Sequence, residues 1–117
     1  MQMKLGHIKL GVSDLKRSLE WYSQILGFEV DSCWPKENPN YYDFKGSGAA
    51  FSIGQAEHGG IYHGGRTNFE VEDVDGLWER LKDKVTVVEA IWDTPWGTRK
   101  FTIADPDGNE LGFTKQL

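Results

Sequence analysis

The chain has 117 residues, a formal net charge of −5, 38% hydrophobic residues and 13% aromatic residues. This length fits one domain, and this composition supplies enough apolar side chains for a packed core. The acidic balance excludes the basic surface that nucleic-acid binding needs, and it weakly favours neutral or cationic small ligands. A mildly acidic surface that only keeps the protein in solution accounts for the same charge.

The cysteine content and the first residues bear on the compartment. Cys33 is the single cysteine of the sequence, so an internal disulfide is excluded and a reducing compartment is expected. The opening stretch, MQMKLGHIKLGVSDL, is too polar for a signal peptide or a membrane span. We therefore expect a cytoplasmic protein without a membrane partner.

The first half of the chain predicts a strand, a helix and three further strands. Residues 4–12 alternate between apolar and polar side chains, as a half-buried strand does. Ser13 or Asp14 then caps a helix whose apolar stripe ends before Gly27, a common helix stop. Three strand-like segments follow, FEVDSCW, YYDFK and AAFSIG, separated by the turn sequences PKENPN and GSG.

The second half repeats this order after a glycine-rich segment. Asp73 is the next helix cap, and the apolar positions from Val74 to Leu81 have helical spacing. Three more strands are predicted in VTVVEAIW, GTRKFTIA and NELGFTK. HIKLGVSDL aligns with RTNFEVEDV, because both run from a strand through an aspartate into a helix. A repeated unit that cannot bury its own sheet face is expected to pair with its copy.

These patterns predict an α+β fold of two βαβββ modules, in which a curved mixed sheet surrounds a cavity and the helices cover the outer face. We expect one domain over residues 1–117, with module 1 at about 1–55, a linker at 56–65 and module 2 at about 66–117. His7 and Arg66 occupy equivalent positions on the first strands of the two modules and are predicted to face the cavity.

The doubled unit, the opening HIKLGVSDLKRSLEWYSQILGF and the ending PWGTRKFTIADPDGNELGF resemble the vicinal oxygen chelate superfamily. That group includes glyoxalase I, extradiol dioxygenases, and fosfomycin and bleomycin resistance proteins. The resemblance covers nearly the whole chain. Because one fold hosts many activities, these motifs indicate the fold more specifically than the function. The resemblance also implies a homodimer, since a second chain often completes the cavity in small members.

In metal-dependent members, the resemblance places ligands on the first strand, on its equivalent in the second half, and on the last strand. The matching residues here are His7, Arg66 and Gly112. An arginine is a permanently charged donor and a glycine has no side chain, so one imidazole is left for a metal that needs several ligands. Glu110 faces the same side as Gly112 but lies roughly 6.7 Å away along the strand. An ion pair with Arg66 or a contact with a polar ligand is therefore expected for Glu110 rather than a bond to a metal. We predict neither a metal nor another cofactor.

Four residues, His7 among them, keep a metal or catalytic site open as a hypothesis. His58 and His63 lie in the glycine-rich segment, where an exposed loop without a ligand role is the commoner case. Cys33 fits a small, half-buried residue better than a nucleophile. His7 fits a hydrogen-bonded wall residue, a ligand contact, or metal or acid–base work.

The aromatic residues favour a binding function, because flat rings stack on planar or cationic ligands. The same tryptophans also fit a core or a dimer interface. In the bleomycin-resistance-like branch, a metal-free cup sequesters a drug, and WDTPWGTR resembles a loop of that branch. The predicted ligand contacts are His7, Trp34, Tyr41, Phe51, Arg66, Trp92, Trp96, Arg99 and Glu110.

The leading hypothesis is a metal-independent protein of the bleomycin-resistance-like kind that sequesters a planar or cationic aromatic small molecule, such as an antibiotic. The alternative is a metal-dependent lyase, thiol transferase or dioxygenase with atypical ligands, which would use His7, Glu110 and either His58 or His63. A third hypothesis is a module that acts only through protein contacts.

Overall fold

The computed structural model describes residues 7–46, 48–56 and 66–117. The chain divides into two compact units, Met1–Ile61 (unit 1) and Tyr62–Leu117 (unit 2). In unit 1, the first helix, α1 (Leu15–Glu20), runs on into a single π-helical turn at Trp21–Ile25. The elements of unit 1 are β1 (His7–Val12), α1 (Leu15–Glu20), β2 (Val30–Trp34), β3 (Tyr41–Phe44) and β4 (Ala50–Gln55). The elements of unit 2 are β5 (Arg66–Glu70), α2 (Val74–Leu81), β6 (Thr86–Asp93), β7 (Thr98–Ala104) and β8 (Glu110–Gln116).

Both units have the same sheet topology. The strand orders are β1-β4-β3-β2 and β5-β8-β7-β6. In each sheet the first strand runs parallel to the last, and the other pairs are antiparallel. His7 pairs with Ala50 and Arg66 pairs with Glu110, so the two registers match from the first strand residue. The predicted α+β fold of two βαβββ modules is confirmed. The single domain with a linker at 56–65 stays a prediction, and residues 57–65 lie outside the described residues.

Both helices begin where the sequence predicts a cap. The Asp14 carboxylate accepts a hydrogen bond from the Arg17 backbone N–H at 3.1 Å. The Asp73 carboxylate accepts one from the Gly76 N–H at 2.9 Å. Each bond satisfies one of the N–H groups that lack a partner within the helix. Gly27 follows the helical segment of unit 1 with a φ of +79°, a conformation that favours glycine.

Aromatic rings fill the apolar side of both sheets, where the helices pack. In unit 1, Tyr22 is fully buried, and its ring centroid lies 5.6 Å from that of Phe44. In unit 2, the Phe101 ring lies 5.2 Å from both Trp78 on α2 and Phe113 on β8. Because side chains alternate along a strand, each core leaves the neighbouring strand residues on the opposite, helix-free face. Within the described residues, no helix has the length and apolar character needed to cross a bilayer.

Candidate functional site

Each sheet carries polar residues on its helix-free face. In unit 1, strand pairing sets Lys9 beside Ser52, Ser52 beside Asp43, and Asp43 beside Ser32. We call this the His7 face, and it consists of His7, Lys9, Ser32, Trp34, Tyr41, Asp43 and Ser52. The corresponding Arg66 face of unit 2 consists of Arg66, Asn68, Glu89, Trp92, Lys100, Thr102, Glu110 and Gly112.

A chain of polar contacts crosses the His7 face. His7 Nε2 lies 2.7 Å from Ser52 Oγ and 3.6 Å from Asp43 Oδ1. Ser32 Oγ donates a hydrogen bond to Asp43 Oδ2 at 2.9 Å. A Ser-His-Asp triad needs the hydroxyl and the carboxylate on different ring nitrogens, whereas both approach Nε2 here. This arrangement therefore fits a polar binding wall better than an activated nucleophile.

Two aromatic rings lie together on the His7 face. Trp34 and Tyr41 are strand partners, and Trp34 is 60% exposed. Lys9 Nζ lies 5.5 Å from the centroid of the Tyr41 ring, within the range of a cation–π interaction. Gly54 makes this approach feasible, since a Cβ atom there would contact Lys9 Cε. The structure thus brings His7, Trp34 and Tyr41 onto one face.

The predicted Arg66–Glu110 ion pair is present on the Arg66 face. Arg66 Nε and Nη2 both donate to Glu110 Oε1, at 3.1 and 2.9 Å. The turn before β8 positions Glu110, because the buried Asp105 carboxylate accepts hydrogen bonds from the N–H groups of Asp107 and Asn109 at 2.9 and 2.8 Å. Such local side-chain bonds to the backbone are the usual reason for aspartate in turns.

Glu89 is a carboxylate that the sequence analysis did not identify. Its Oε1 lies 3.3 Å from Lys100 Nζ, whose side chain is only 14% exposed. Burial raises the pKa of the Glu89 carboxyl. Hydrogen bonds from the Trp92 and Lys100 side chains, together with the Lys100 and Arg66 charges, outweigh that effect, so the pKa lies below its ordinary value. Glu89 is therefore ionised at neutral pH.

A hydrogen-bonded turn between β6 and β7 presents Trp96. Thr94 Oγ1 and Thr98 Oγ1 lie 2.7 Å apart, and the Thr94 N–H donates to the Thr98 carbonyl at 2.8 Å. Gly97 has a φ of +90°, which favours glycine. Trp96 itself is 67% exposed, and its ring meets the Trp92 ring edge to face, with centroids 6.0 Å apart and planes at 86°.

Arg99 lies on the helix side of unit 2, away from the Arg66 face. It donates to both carboxylate oxygens of Asp93 at 2.6 and 3.0 Å, and to Asp75 on α2 at 3.1 Å. These carboxylates raise the pKa of the guanidinium, which in turn holds the pKa of Asp93 below its ordinary value. Arg99 thus connects the base of the Trp96 turn to α2, a place in the fold that the sequence analysis did not predict.

Phe51 also lies apart from the two polar faces. It is 2% exposed, and its ring lies 6.0 Å from Phe44 and 6.1 Å from Tyr22. Alternation along β4 points Ser52 toward the His7 face and Phe51 toward α1. Trp34, Tyr41 and Trp92 are therefore the aromatic candidates that share a face with polar candidates, and Trp96 contacts Trp92 from the adjoining turn.

The residues at the positions of the family's metal ligands do not fit a metal ion. Arg66 repels a cation and is engaged with Glu110. The Asn68 carboxamide lies over Gly112, where an added Cβ atom would contact Asn68 Oδ1. Among residues 7–46, 48–56 and 66–117, no three His, Cys, Asp or Glu side chains group so that they could hold a metal ion. His58 and His63 lie outside the described residues and stay predictions.

Several polar members of the two faces were missed from the sequence. Alternation along each strand already marks them as facing the helix-free side. Their contacts depend on strand order and register, which join residues more than 40 positions apart, such as His7 and Ser52. The missed residues are Lys9, Ser32, Asp43, Ser52, Asn68, Glu89, Lys100 and Thr102.

Two solved structures resemble the whole chain. One is TnmS3, an antibiotic binding protein from Streptomyces sp. CB03234, with 23% identity and a TM-score of 0.81, covering 99% of this chain and 98% of that chain. The other is a glyoxalase/bleomycin resistance protein/dioxygenase superfamily member from Sphaerobacter thermophilus DSM 20745, with 25% identity, a TM-score of 0.78 and 98% coverage of both chains. At this level of identity, these similarities establish the fold.

Sequence comparison gives the family. The trivalent organoarsenical cleaving enzyme of Bacillus sp. (strain MD1) is 29% identical over 126 residues, covering 95% of this chain and 72% of that protein. The sequence model of the Glyoxalase/Bleomycin resistance protein/Dioxygenase superfamily matches residues 4–113. Because this match spans nearly the whole chain, the protein belongs to the Glyoxalase/Bleomycin resistance protein/Dioxygenase superfamily.

Proposed function

We propose that this protein binds planar aromatic cations without a metal ion and thereby sequesters them. The exposed Trp92–Trp96 pair beside an ionised carboxylate is the observation that carries this proposal. Two indole rings at nearly a right angle give a flat ligand one ring to stack on and a second ring to meet edge to face. Glu89 accepts a hydrogen bond from the Trp92 side chain, so its negative charge strengthens the attraction of that ring for a cation.

The order of the Trp96 turn supports ligand binding. Thr94 and Thr98 hold the turn closed from within, and Arg99 connects its base to α2. These bonds fix the backbone around Trp96 in the free protein. Binding then costs little additional conformational entropy, which is how a preorganised site gains affinity. In this proposal Arg99 acts as a positioning residue rather than as a ligand contact.

Each of the two faces also offers polar or stacking groups of its own. On the His7 face, the Tyr41 ring already has the Lys9 ammonium over it, so it is suited to a ligand cation. Trp34 offers a second exposed ring, and nearly half of the His7 side chain is exposed at 47%. The Arg66–Glu110 pair is about one-third exposed, so both a donor and an acceptor are available at the surface of unit 2.

The likeness to TnmS3 supports this proposal at the level of the fold. That protein is described as antibiotic binding, and at 23% identity its similarity indicates only that this fold can hold an antibiotic. The local argument from the Arg66 face therefore carries more weight. Its permanently charged Arg66 and the covered Gly112 disfavour a metal-dependent reaction.

Calorimetric titration of protein dialysed against EDTA tests the proposal. Proflavine serves as the planar cation, acridone as the planar neutral compound and naphthalene-2-sulfonate as the planar anion. We expect proflavine to bind most tightly, with no loss after EDTA treatment. Trp96→Leu should weaken proflavine binding by about tenfold, a typical loss for one aromatic stacking contact.

Val88→Ala is the matched control, because Val88 is an exposed apolar residue of β6, the strand that carries Trp92. Its proflavine affinity should equal that of the wild type. Equal binding of all three compounds, or a proflavine affinity unaffected by Trp96→Leu, would contradict the proposal.

The Bacillus relative favours a second candidate function, cleavage of trivalent organoarsenicals. Trivalent arsenic is a soft centre that prefers thiolates. This chain offers only Cys33, which pairs with Tyr42 on the side of the sheet away from His7. Incubation with phenylarsonous acid tests this function, with bound Ni, Zn, Mn and Fe measured on the same sample. Release of inorganic arsenic by wild type and its loss in Cys33→Ser would favour the enzyme.

Two other properties stay predictions. A homodimer is expected, and light scattering coupled to gel filtration would measure its mass. A cytoplasmic location is expected from the single Cys33.

A further inference from the structure

A hydroxyl and a carboxylate oxygen stand out on the Arg66 face because both are buried, on adjacent strands. Thr102 is 0% exposed, and its Oγ1 has no hydrogen-bond partner among the described residues. Glu89 Oε1 is also buried, and Lys100 Nζ, 3.3 Å away, is its ionic and hydrogen-bonding partner. Glu89 and Thr102 are strand partners, so both side chains point to the same side of the sheet.

A buried hydroxyl without a partner is unfavourable for folding, because it has lost its hydrogen bonds to water. Valine has nearly the same shape as threonine and would avoid this cost. Ser18 on α1 is a second buried hydroxyl without a partner, so the condition alone does not define a site. Thr102 differs from Ser18 because an ionised carboxylate, that of Glu89, lies on the adjacent strand.

We propose that Thr102 and Glu89 form a subsite for an N–H-bearing cation, such as a primary ammonium or an amidinium. This inference rests on the proposed function, in which the ring of the same ligand stacks on Trp92 and Trp96. Glu89 Oε1 and Thr102 Oγ1 each accept one N–H of the cation. Access follows the Glu89 side chain, which is 35% exposed.

The charges of the Arg66 face indicate what this subsite selects. Arg66 and Lys100 are positive, and Glu89 and Glu110 are negative, so their formal charges cancel. The net charge of the Arg66 face therefore does not favour one cation over another. A primary ammonium loses more hydration than a quaternary ammonium when it is buried, and only hydrogen-bond acceptors offset that loss. Selection of the N–H-bearing cation consequently depends on Glu89 Oε1 and Thr102 Oγ1.

Two matched compounds test the subsite by calorimetry. These are 1-naphthylmethylamine and its N,N,N-trimethyl derivative, which share the ring and the positive charge and differ in N–H groups. We expect the primary amine to bind about tenfold more tightly to the wild type, as for a charge-assisted hydrogen bond. Thr102→Val should remove most of this preference and leave the affinity for the trimethyl compound unchanged.

Three further variants separate the roles of the two side chains. Thr102→Ser keeps a hydroxyl and should retain the preference. Glu89→Gln removes the negative charge beside Trp92 and should weaken both compounds. Ser18→Ala is the matched control, since it removes the other unpartnered hydroxyl and should leave both affinities unchanged.

Thermal unfolding supplies a second readout. Thr102→Val and Ser18→Ala should each keep or raise the Tm, because each removes a buried hydroxyl without a partner. The subsite would be overturned if Thr102→Val kept the wild-type preference for the primary amine, or if the Tm of Thr102→Val were lowered. If the trimethyl compound binds and the preference is absent in the wild type, the subsite fails while the proposed function stands. If neither compound binds, the proposed function fails and the subsite fails with it.

Discussion

Unit 1 and unit 2 share strand order and register but differ in the chemistry of their polar faces. His7 and Arg66 occupy equivalent first-strand positions, and Ser52 in unit 1 corresponds to Gly112 in unit 2. On the His7 face, an imidazole, a hydroxyl and a carboxylate lie close together. On the Arg66 face, ion pairs dominate. The comparison teaches that apolar alternation and turns fix the register, while the helix-free face is free to vary in function.

The cores of the two units also differ, in the positions of their aromatic rings along the shared topology. Phe44 and Phe51 are strand partners in unit 1, whereas Phe101 and Phe113 are strand partners in unit 2. In the shared register, the unit 2 rings occupy the positions of Tyr42 and Ile53, one step of alternation further along the strands. Bulky side chains therefore move along a sheet without changing its topology, provided that they stay on the helix side.

The largest expected effect tests whether Phe51 and Phe113 have the same structural role. Phe51→Ala and Phe113→Ala should each lower the free energy of unfolding by about 3–5 kcal/mol, as for other buried phenylalanines. Urea titration would measure this loss. Proflavine affinity of the milder Phe51→Leu should equal that of the wild type, because Phe51 lies on the helix side. A weakened affinity with unchanged stability would instead make Phe51 a ligand contact.

The next effect concerns the position at which the family carries a metal-binding carboxylate. Gly112→Glu should lower the free energy of unfolding by about 1–3 kcal/mol, because the Asn68 carboxamide has to move away from the new Cβ. Asn68→Ala in the same chain should recover part of this loss. Metal analysis of Gly112→Glu should find no stoichiometric Ni, Zn, Mn or Fe, since Arg66 still faces the position. If one of these metals raised the Tm of Gly112→Glu, a cation would have displaced Arg66 from its pair with Glu110.

A smaller effect is expected from the Arg66–Glu110 pair. A double-mutant cycle with Arg66→Gln and Glu110→Gln should give a coupling of about 0.5–1 kcal/mol, because both side chains are about one-third exposed. The coupling should fall as NaCl is added. Lys82 and Glu79 form a surface pair on and after α2 and provide a matched cycle with a smaller coupling. Equal couplings would mean that the Arg66 face gives its ion pair no special environment.

The smallest effect is the response of unit 2 to acid. The pKa of Glu89 lies below its ordinary value of 4.5, and that of Asp93 lies below its ordinary value of 3.8. A lowered folded-state pKa stabilises the fold above the unfolded-state value, and this contribution is lost as the pH falls through the folded-state value. Urea titrations between about pH 5 and pH 3 should therefore show falling stability. Asp93→Asn and Glu89→Gln should flatten that slope, and an unchanged slope in the double variant would contradict this assignment.

Much of each unit could be predicted from local sequence. Asp14, Asp73 and Gly27 mark helix ends because their effects act on neighbouring backbone groups. The Arg66–Glu110 pair is one of the two roles that the sequence suggested for Glu110, because both residues were assigned to the cavity face. The place of Arg99 was not predictable, because its partner Asp75 lies 24 residues away on a helix whose position follows from packing.

The sequence by itself determined the α+β class, the repeated βαβββ order and the helix caps, because these depend on neighbouring residues and on alternation. Only the tertiary structure decided that Phe51 packs against Tyr22, that Asn68 covers Gly112, and that Thr102 lies beside Glu89. The physical reason is that strand pairing and helix packing join residues far apart in the chain. Their side chains compete for the same space only after the sheet has formed.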